Sequence, residues 1–253
     1  MAVDNSKIQT IILKAVADSG FFRDGAVFKG GGVLHHVYAS PRYSADLDFS
    51  WPSCELANIQ LGAERACGLI KKMQGRDFVV DRVYRTAHNC ARAILSERRS
   101  DGSKNKIFIE IDDFSNPEPE TYVLSVPGNP ILRVRTLQQM INDKFLALLL
   151  RRRPKGRDFF DVNFLKYRDI DTAAVNRQLE DYDRHGMTID LDHNYRALKD
   201  RLRDPVIGED IKRDILNYMP PEETAEWDDG VFADMIERTV EWIGRNLEKL
   251  KER

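Results

Sequence analysis

Residues 28–51 read FKGGGVLHHVYASPRYSADLDFSW. Three glycines follow Lys29, and further along Asp46 and Asp48 stand on either side of Leu47. The glycines are not a P-loop, which needs GxxxxGK[ST], nor a dinucleotide fingerprint, which needs a third glycine in GxGxxG. What remains is a tight strand-to-helix turn whose exposed backbone N–H groups can face an anion. AVFK before it is a short strand candidate. VLHHVYAS after it predicts a short helix, with Leu34, Val37 and Tyr38 near i, i+3, i+4 spacing, stopped by Pro41. Ser44 to Phe49 then reads as a second strand. Residues i and i+2 of a strand share a face, so Asp46, Asp48 and Ser44 are expected to project together while Leu47 and Phe49 enter the core. Paired carboxylates beside a phosphate cradle suit Mg²⁺ or Mn²⁺, which take a few carboxylates and substrate phosphate oxygens.

A third carboxylate is expected from KIFIEIDDF (106–114), the clearest strand pattern in the chain. Ile107, Ile109 and Ile111 mark its buried side, which leaves Phe108, Glu110 and Asp112 on the other. Glu110 sits mid-strand and is preferred as the metal partner, with Asp112 as the alternative. Before it, Ser6 can cap a first helix with Ile8, Ile11, Ile12, Ala15 and Val16 on one face. Residues 55–74 read as a helix ended by Gly75, and residues 78–85 and 89–97 as strands. A turn at 100–105 and a Pro/Gly/Asn-rich loop at 116–130 complete an α/β region over residues 1–130. From 131 to 253 the pattern is helical. TLQQMINDKFLALLLRR carries Leu137, Ile141, Ala147 and Leu148 on its apolar side, with Lys144 on or beside that side. Such a lysine either snorkels outward or reaches a buried anion. Arg151, Arg152, Arg153, Lys155 and Arg157 form a basic run suited to triphosphate or RNA backbone, and Asp158 and Asp161 open the helix that follows.

The chain has 253 residues, 42% hydrophobic, 32% charged and net charge −2, which allows one or two domains and argues against a wholesale nucleic-acid coat. Cys54, Cys67 and Cys90 are odd in number and lack CxxC spacing, so neither disulfides nor zinc are expected; His88 near Cys90 reads as an ordinary strand residue. The start MAVDNSKIQTIILKAVADSGFF lacks the build of a signal peptide, and no stretch is long and apolar enough for a membrane helix. A soluble, cytoplasmic, monomeric protein is expected.

The order of glycines, DxD and strand acid resembles the DNA polymerase β-like nucleotidyltransferase superfamily. More narrowly, KGGGVLHHVYASPRYSADLDF, NDKFLAL and RDFFDVNFL look like the AbiEii/AbiGii toxin family, which includes MenT-type toxins. The resemblance covers about residues 26–167. It implies an α+β fold, with a polymerase β-like mixed sheet flanked by helices and a C-terminal helical domain contributing to the site. It implies metal-dependent transfer of a nucleoside monophosphate from an NTP to an acceptor such as the tRNA 3′ end, within a toxin–antitoxin system. Asp46 and Asp48 match the metal carboxylates, and Glu110, the preferred strand acid, completes the expected metal set. Lys144 matches the motif lysine near the phosphates, and Asp158 and Asp161 the last acidic motif. Lys29, Gly30, Gly31, Gly32, Arg42, Ser44 and Arg157 are the expected nucleotide-binding set. Gly32 departs from the family pattern, which has threonine or serine there. That departure motivates an alternative, a catalytically weak nucleotide-binding or regulatory module; a transferase with a protein or small-molecule acceptor is a further alternative. A DxD phosphatase expects an apolar run before the first aspartate, which RYSADLDFS lacks, and a DxD glycosyltransferase does not account for KGGG. Phosphorylation of Ser44, by the protein itself or by an antitoxin kinase, would add about 1.5–2 negative charges beside the carboxylates.

Overall fold

The computed structural model describes residues 6–20, 25–86, 90–98, 104–113, 120–123 and 130–252. His88, most of the turn at 100–105 and most of the loop at 116–130 lie outside these residues. The chain divides into two compact units, the first ending at Arg135 and the second beginning at Thr136.

The first unit is a mixed sheet with helices. Its elements are α1 (Ser6–Asp18), β1 (Val27–Lys29), α2 (Gly30–His36), β2 (Leu47–Ser50), α3 (Leu56–Gln74), β3 (Phe78–Arg85), β4 (Cys90–Arg98), β5 (Lys104–Asp112), β6 (Glu120–Val123) and β7 (Ile131–Val134). Strand order is β3-β4-β5-β2-β1-β7-β6. The β2–β5 and β1–β7 pairs are parallel and the others antiparallel. One face is the core: Phe28, Leu47, Phe49, Ala91, Ala93, Leu95, Ile107, Ile109 and Ile111 are all buried. Alternation on β5, and on β4 from Cys90 to Leu95, sends the intervening residues to the opposite, partly exposed face. Helix α3 packs on β3 and β4 and on α1, and it ends at Gly75, whose φ of 65° is the left-handed cap that glycine supplies without strain.

Several sequence expectations change here. Helix α2 begins at Gly30, so the glycines are its first turn rather than a turn before it. Strand β2 begins at Leu47, not Ser44: its pairing with β5 starts at Leu47 and with β1 at Asp48, and residues 44–46 pair with neither strand. The buried side of α1 is Gln9, Ile12, Leu13, Ala15 and Val16, with Ile8 and Ile11 only half-buried. Gln9 is drawn inward by hydrogen bonds described below. Ser6 is the first helical residue, and its hydroxyl pairs with His35 Nε2 at 2.8 Å. Part of the stretch read as loop forms β6, and residues 131–134, read with the helical region, form β7 of the sheet.

The second unit is helical: α4 (Leu137–Leu150), α5 (Gly156–Phe164), α6 (Thr172–Arg184), α7 (Leu191–Leu202), α8 (Pro205–Tyr218), α9 (Pro221–Thr224) and α10 (Asp229–Lys251). Thr136 and Gln139 close a capping box at the start of α4, and Asp171, Asp190, Asp204 and Asp228 cap α6, α7, α8 and α10. Helix α4 is buried over most of its circumference, including Met140, Phe145 and Leu149, as a central helix must be. Trp242 of α10 packs edge-on against Phe145, centroids 5.7 Å apart, and its indole N–H donates to the Arg168 carbonyl. At the start of α5, Gly156 lies directly against the Ile211 carbonyl of α8, leaving no room for a Cβ. Gly156→Ala is expected to cost about 1–3 kcal/mol by forcing α5 and α8 apart. A urea midpoint unchanged from wild type would contradict that contact.

Candidate active site

The registers of β1, β2, β5, β4 and β3 align one row of side chains on the non-core face: Lys29, Asp48, Glu110, Arg92 and Tyr84. The next row holds Ser50, Asp112 and Cys90. Neighbouring strands lie about 4.8 Å apart, so Asp48, Glu110 and Asp112 crowd three carboxylates onto adjacent strands. Two cations offset them: Arg92 bonds Glu110, and Lys29 bonds Asp112. The Asp112 Oδ1 atom remains buried without a hydrogen-bond partner. An orphaned carboxylate oxygen is costly unless a ligand satisfies it, and a bound divalent cation would do so. That oxygen is the feature of this face that a divalent cation would satisfy. Among the described residues, no group of three or more His, Cys, Asp or Glu converges as a ready-made metal cage. Cys90, opposite Asp112, is kept as a thiol, because burial pushes its pKa up and the Asp112 charge adds to the rise.

Each glycine of the motif answers to a specific neighbour. Gly30 has φ +72° and lies against the Asp48 carboxylate where a Cβ would stand, and Gly31 lies in the same way against the Arg42 guanidinium. Backbone can thus approach both a carboxylate and a cation. The Cβ position of Gly32 lies 2.8 Å from Phe28 Cζ. Phe28 is fully buried and packs against Phe49 with centroids 5.2 Å apart. The absent hydroxyl at position 32 is therefore tied to a large aromatic ring in the neighbouring strand.

Asp46 precedes β2, so it is placed by the loop rather than by strand alternation. Gln9, missed in the sequence as a functional residue, holds that loop: its Nε2 donates to the Ser44 and Ala45 carbonyls at 2.9 and 3.2 Å. Its Oε1 pairs with His36 Nε2 at 3.1 Å, tying α1, α2 and the loop together. Ser44 donates to the Asp46 carbonyl at 3.0 Å, and the buried Arg42 donates to the Tyr43 carbonyl at 2.8 Å. The only sequence signal for Gln9 was a polar residue interrupting an apolar helix face. Arg135, also missed, is buried and donates to Ser50 Oγ at 3.1 Å.

In the helical unit, Lys144 reaches Asp158 Oδ1 at 2.8 Å and Asp161 Oδ2 at 2.6 Å, and Arg151 Nε lies 3.1 Å from Asp158 Oδ2. Both aspartates are fully buried, so the anion that Lys144 reaches is internal and joins α4 to α5. Burial pushes the Asp158 carboxyl up, but Lys144 and Arg151 more than reverse this, and its pKa falls to about 2. Of the basic run, Arg151 is ion-paired, Arg157 lies over the Tyr218 ring at 5.4 Å, and Arg152 and Arg153 are exposed.

The fold is that of nucleotidyltransferases. A "putative nucleotidyltransferase from H. pylori" superposes with TM-score 0.55 at 22% identity, over 98% of this chain and 97% of that one. JHP933 from Helicobacter pylori superposes with TM-score 0.54 at 18% identity, over 100% and 97%. MenT4, a nucleotidyltransferase toxin from Mycobacterium tuberculosis, covers 69% of this chain and 63% of its own at TM-score 0.46 and 21% identity. Residues 11–241 match the family described as nucleotidyl transferase AbiEii toxin, type IV toxin–antitoxin system, and the chain belongs to that family. It is accordingly a toxin-family nucleotidyltransferase. A search of curated protein sequences finds no match. No helix among the described residues is long and apolar enough to cross a membrane.

Gly32→Thr is expected to destabilise the protein by about 1–3 kcal/mol through overpacking. Combined with Phe28→Leu, it should cost at least about 1 kcal/mol less than the sum of the two single changes; strict additivity would rule out the clash. For Asp158, a depressed folded-state pKa contributes stability above the unfolded carboxyl's value near 4, lost as pH falls toward about 2. The stability difference between wild type and Asp158→Asn should therefore narrow by about 2 kcal/mol between pH 5 and pH 2. A pH-independent difference in urea titrations would refute the assignment.

Proposed function

We propose that the protein transfers a nucleoside monophosphate from an NTP to an RNA acceptor, such as the tRNA 3′ end, in a reaction dependent on Mg²⁺ or Mn²⁺. The observation that carries this is the row Lys29–Asp48–Glu110–Arg92, with Gly30 against Asp48 and an unsatisfied oxygen on neighbouring Asp112. Asp48 and Glu110, with Asp46 from the loop, are the residues that would hold the metal. When bound, it would neutralise triphosphate charge and lower the pKa of the acceptor hydroxyl. Glu110 stands beside Asp48 to draw the hydroxyl proton as the acceptor oxygen bonds to the α-phosphorus. The α–β phosphoanhydride bond breaks, and pyrophosphate leaves with its negative charge offset by Lys29 and Arg42, which flank the glycine turn.

The weak-module alternative drew on the missing hydroxyl at position 32. The Phe28 ring gives that glycine a packing reason that does not depend on activity. As a toxin of a type IV system, the protein is expected to act beside an antitoxin, and Ser44, whose hydroxyl already bonds the Asp46 backbone, is the proposed position at which a phosphate would disturb the site.

Purified protein incubated with Mg²⁺, each α-labelled NTP and total cellular RNA should label RNA, and EDTA should abolish the signal. Asp48→Ala and Asp46→Ala should each lower transfer by about 100-fold or more. Label transfer at wild-type rate by either variant would overturn the site.

A further inference from the structure

On β3, β4 and β5 the non-core face continues past the carboxylates, and its character changes. Beyond Glu110 it carries Phe108, Lys106 and Lys104 on β5, Arg92 and Ile94 on β4, and Tyr84 and Arg82 on β3. Phe108, Ile94, Arg92 and Tyr84 are half-buried, while Lys104, Lys106 and Arg82 are exposed. Two guanidinium–aromatic stacks lie there: Arg92 Cζ is 5.4 Å from the Phe108 centroid, and Arg82 Cζ is 4.6 Å from that of Tyr84. A register shift between Val80 and Arg82 sets this up. In regular register, with Asp81 opposite Ile94, Arg82 and Tyr84 would share the core-facing side of Val80; because Asp81 is bulged out of the pairing, both lie on the open face. Asp81 itself is engaged by the Ser96 hydroxyl.

We infer that this face of β3–β4–β5 seats the 3′ end of a single-stranded RNA acceptor. Bases would stack on the Phe108–Arg92 and Tyr84–Arg82 planes, and phosphates would lie against Lys106, Lys104 and Arg82. The occupant follows from the chemistry. Stacked aromatic and guanidinium planes flanked by exposed cations are what unpaired ribonucleotides use. Glu110 is two residues, about 7 Å, along β5 from Phe108, so a strand stacked there ends beside the carboxylates. The inference rests on the transferase reading, but it can fail or stand separately.

Binding of a short fluorescent single-stranded oligoribonucleotide to the full chain, measured by anisotropy in EDTA, tests the surface without turnover. Phe108→Leu, which keeps an apolar side chain but removes the π face, should weaken binding about tenfold. Lys106→Gln and Arg82→Gln should each weaken it severalfold and lower the salt dependence by about 0.7 in log–log slope. Tyr84→Phe, which keeps the ring, should bind nearly as wild type. Melting curves establish that each variant is folded, and NTP binding should be unchanged in all of them. Arg152→Gln/Arg153→Gln, in the exposed part of the basic run, serves as the rival arm. Loss of RNA binding in that pair with none in Phe108→Leu and Lys106→Gln overturns the inference, as does a wild-type protein that binds no single-stranded RNA at low salt. Loss of label transfer in Asp48→Ala with RNA binding retained supports both readings. Transfer retained in Asp48→Ala with the β-face variants still defective in binding would sink the transferase site and leave the RNA surface standing.

Discussion

The Asp48 carboxylate lies against the backbone of Gly30, in space that any side chain at position 30 would fill. From that contact much of the first unit follows. It places the start of α2 beside β2, and Gly30 at φ +72° turns the chain out of β1 immediately after Lys29. Because β1 stops there, Lys29 pairs with Asp48, and the parallel β2–β5 register sets Glu110 on the far side of Asp48. Crowding carboxylates on one face is electrostatically unfavourable in isolation. Here Lys29 and Arg92 flank the group and offset it.

The same logic of charge held by charge organises the helical unit, at much greater depth. Lys144, Asp158 and Asp161 are nearly or fully buried, and their pairing fixes α4 against α5. Truncating one member of such a network leaves another charge buried, and for that reason its loss is far costlier than that of a surface pair. The sheet-face pairs Arg92–Glu110 and Lys29–Asp112 are more exposed. Such partly exposed pairs are broken at much lower cost than the buried one.

Much of this was legible in one dimension wherever side-chain period dictated the outcome. Alternating isoleucines on β5 were enough to place Glu110 and Asp112 away from the core, and Gly75 was enough to end α3. Family membership was legible because four ordered motifs occur together. Less legible were elements whose existence depends on a distant partner. Strands β6 and β7 are four residues each and pair with one another, with β7 also against β1; nothing in ILRV separates a strand from the start of a helix. Gln9 was hidden because its role depends on the Ser44 and Ala45 carbonyls, 35 and 36 residues away. Gly32 could be seen as a departure from its family, but its reason, the Phe28 ring, lies in the adjoining strand.

By itself the sequence determined the chemical inventory and part of its local geometry: the glycines after Lys29, the two aspartates around Leu47, an acidic strand with one apolar face, and a lysine on a buried helix. These follow from the fixed periods of strand and helix and from the special backbone freedom of glycine. Tertiary structure decided which of those groups meet. It aligned Lys29, Asp48, Glu110, Arg92 and Tyr84 in one row, handed Lys144 to Asp158 and Asp161, and turned Arg82 onto the open face through a single inserted residue. Register between strands is set by long-range pairing, and a shift of one residue exchanges the two faces of a strand. No local pattern in the chain could have specified that row.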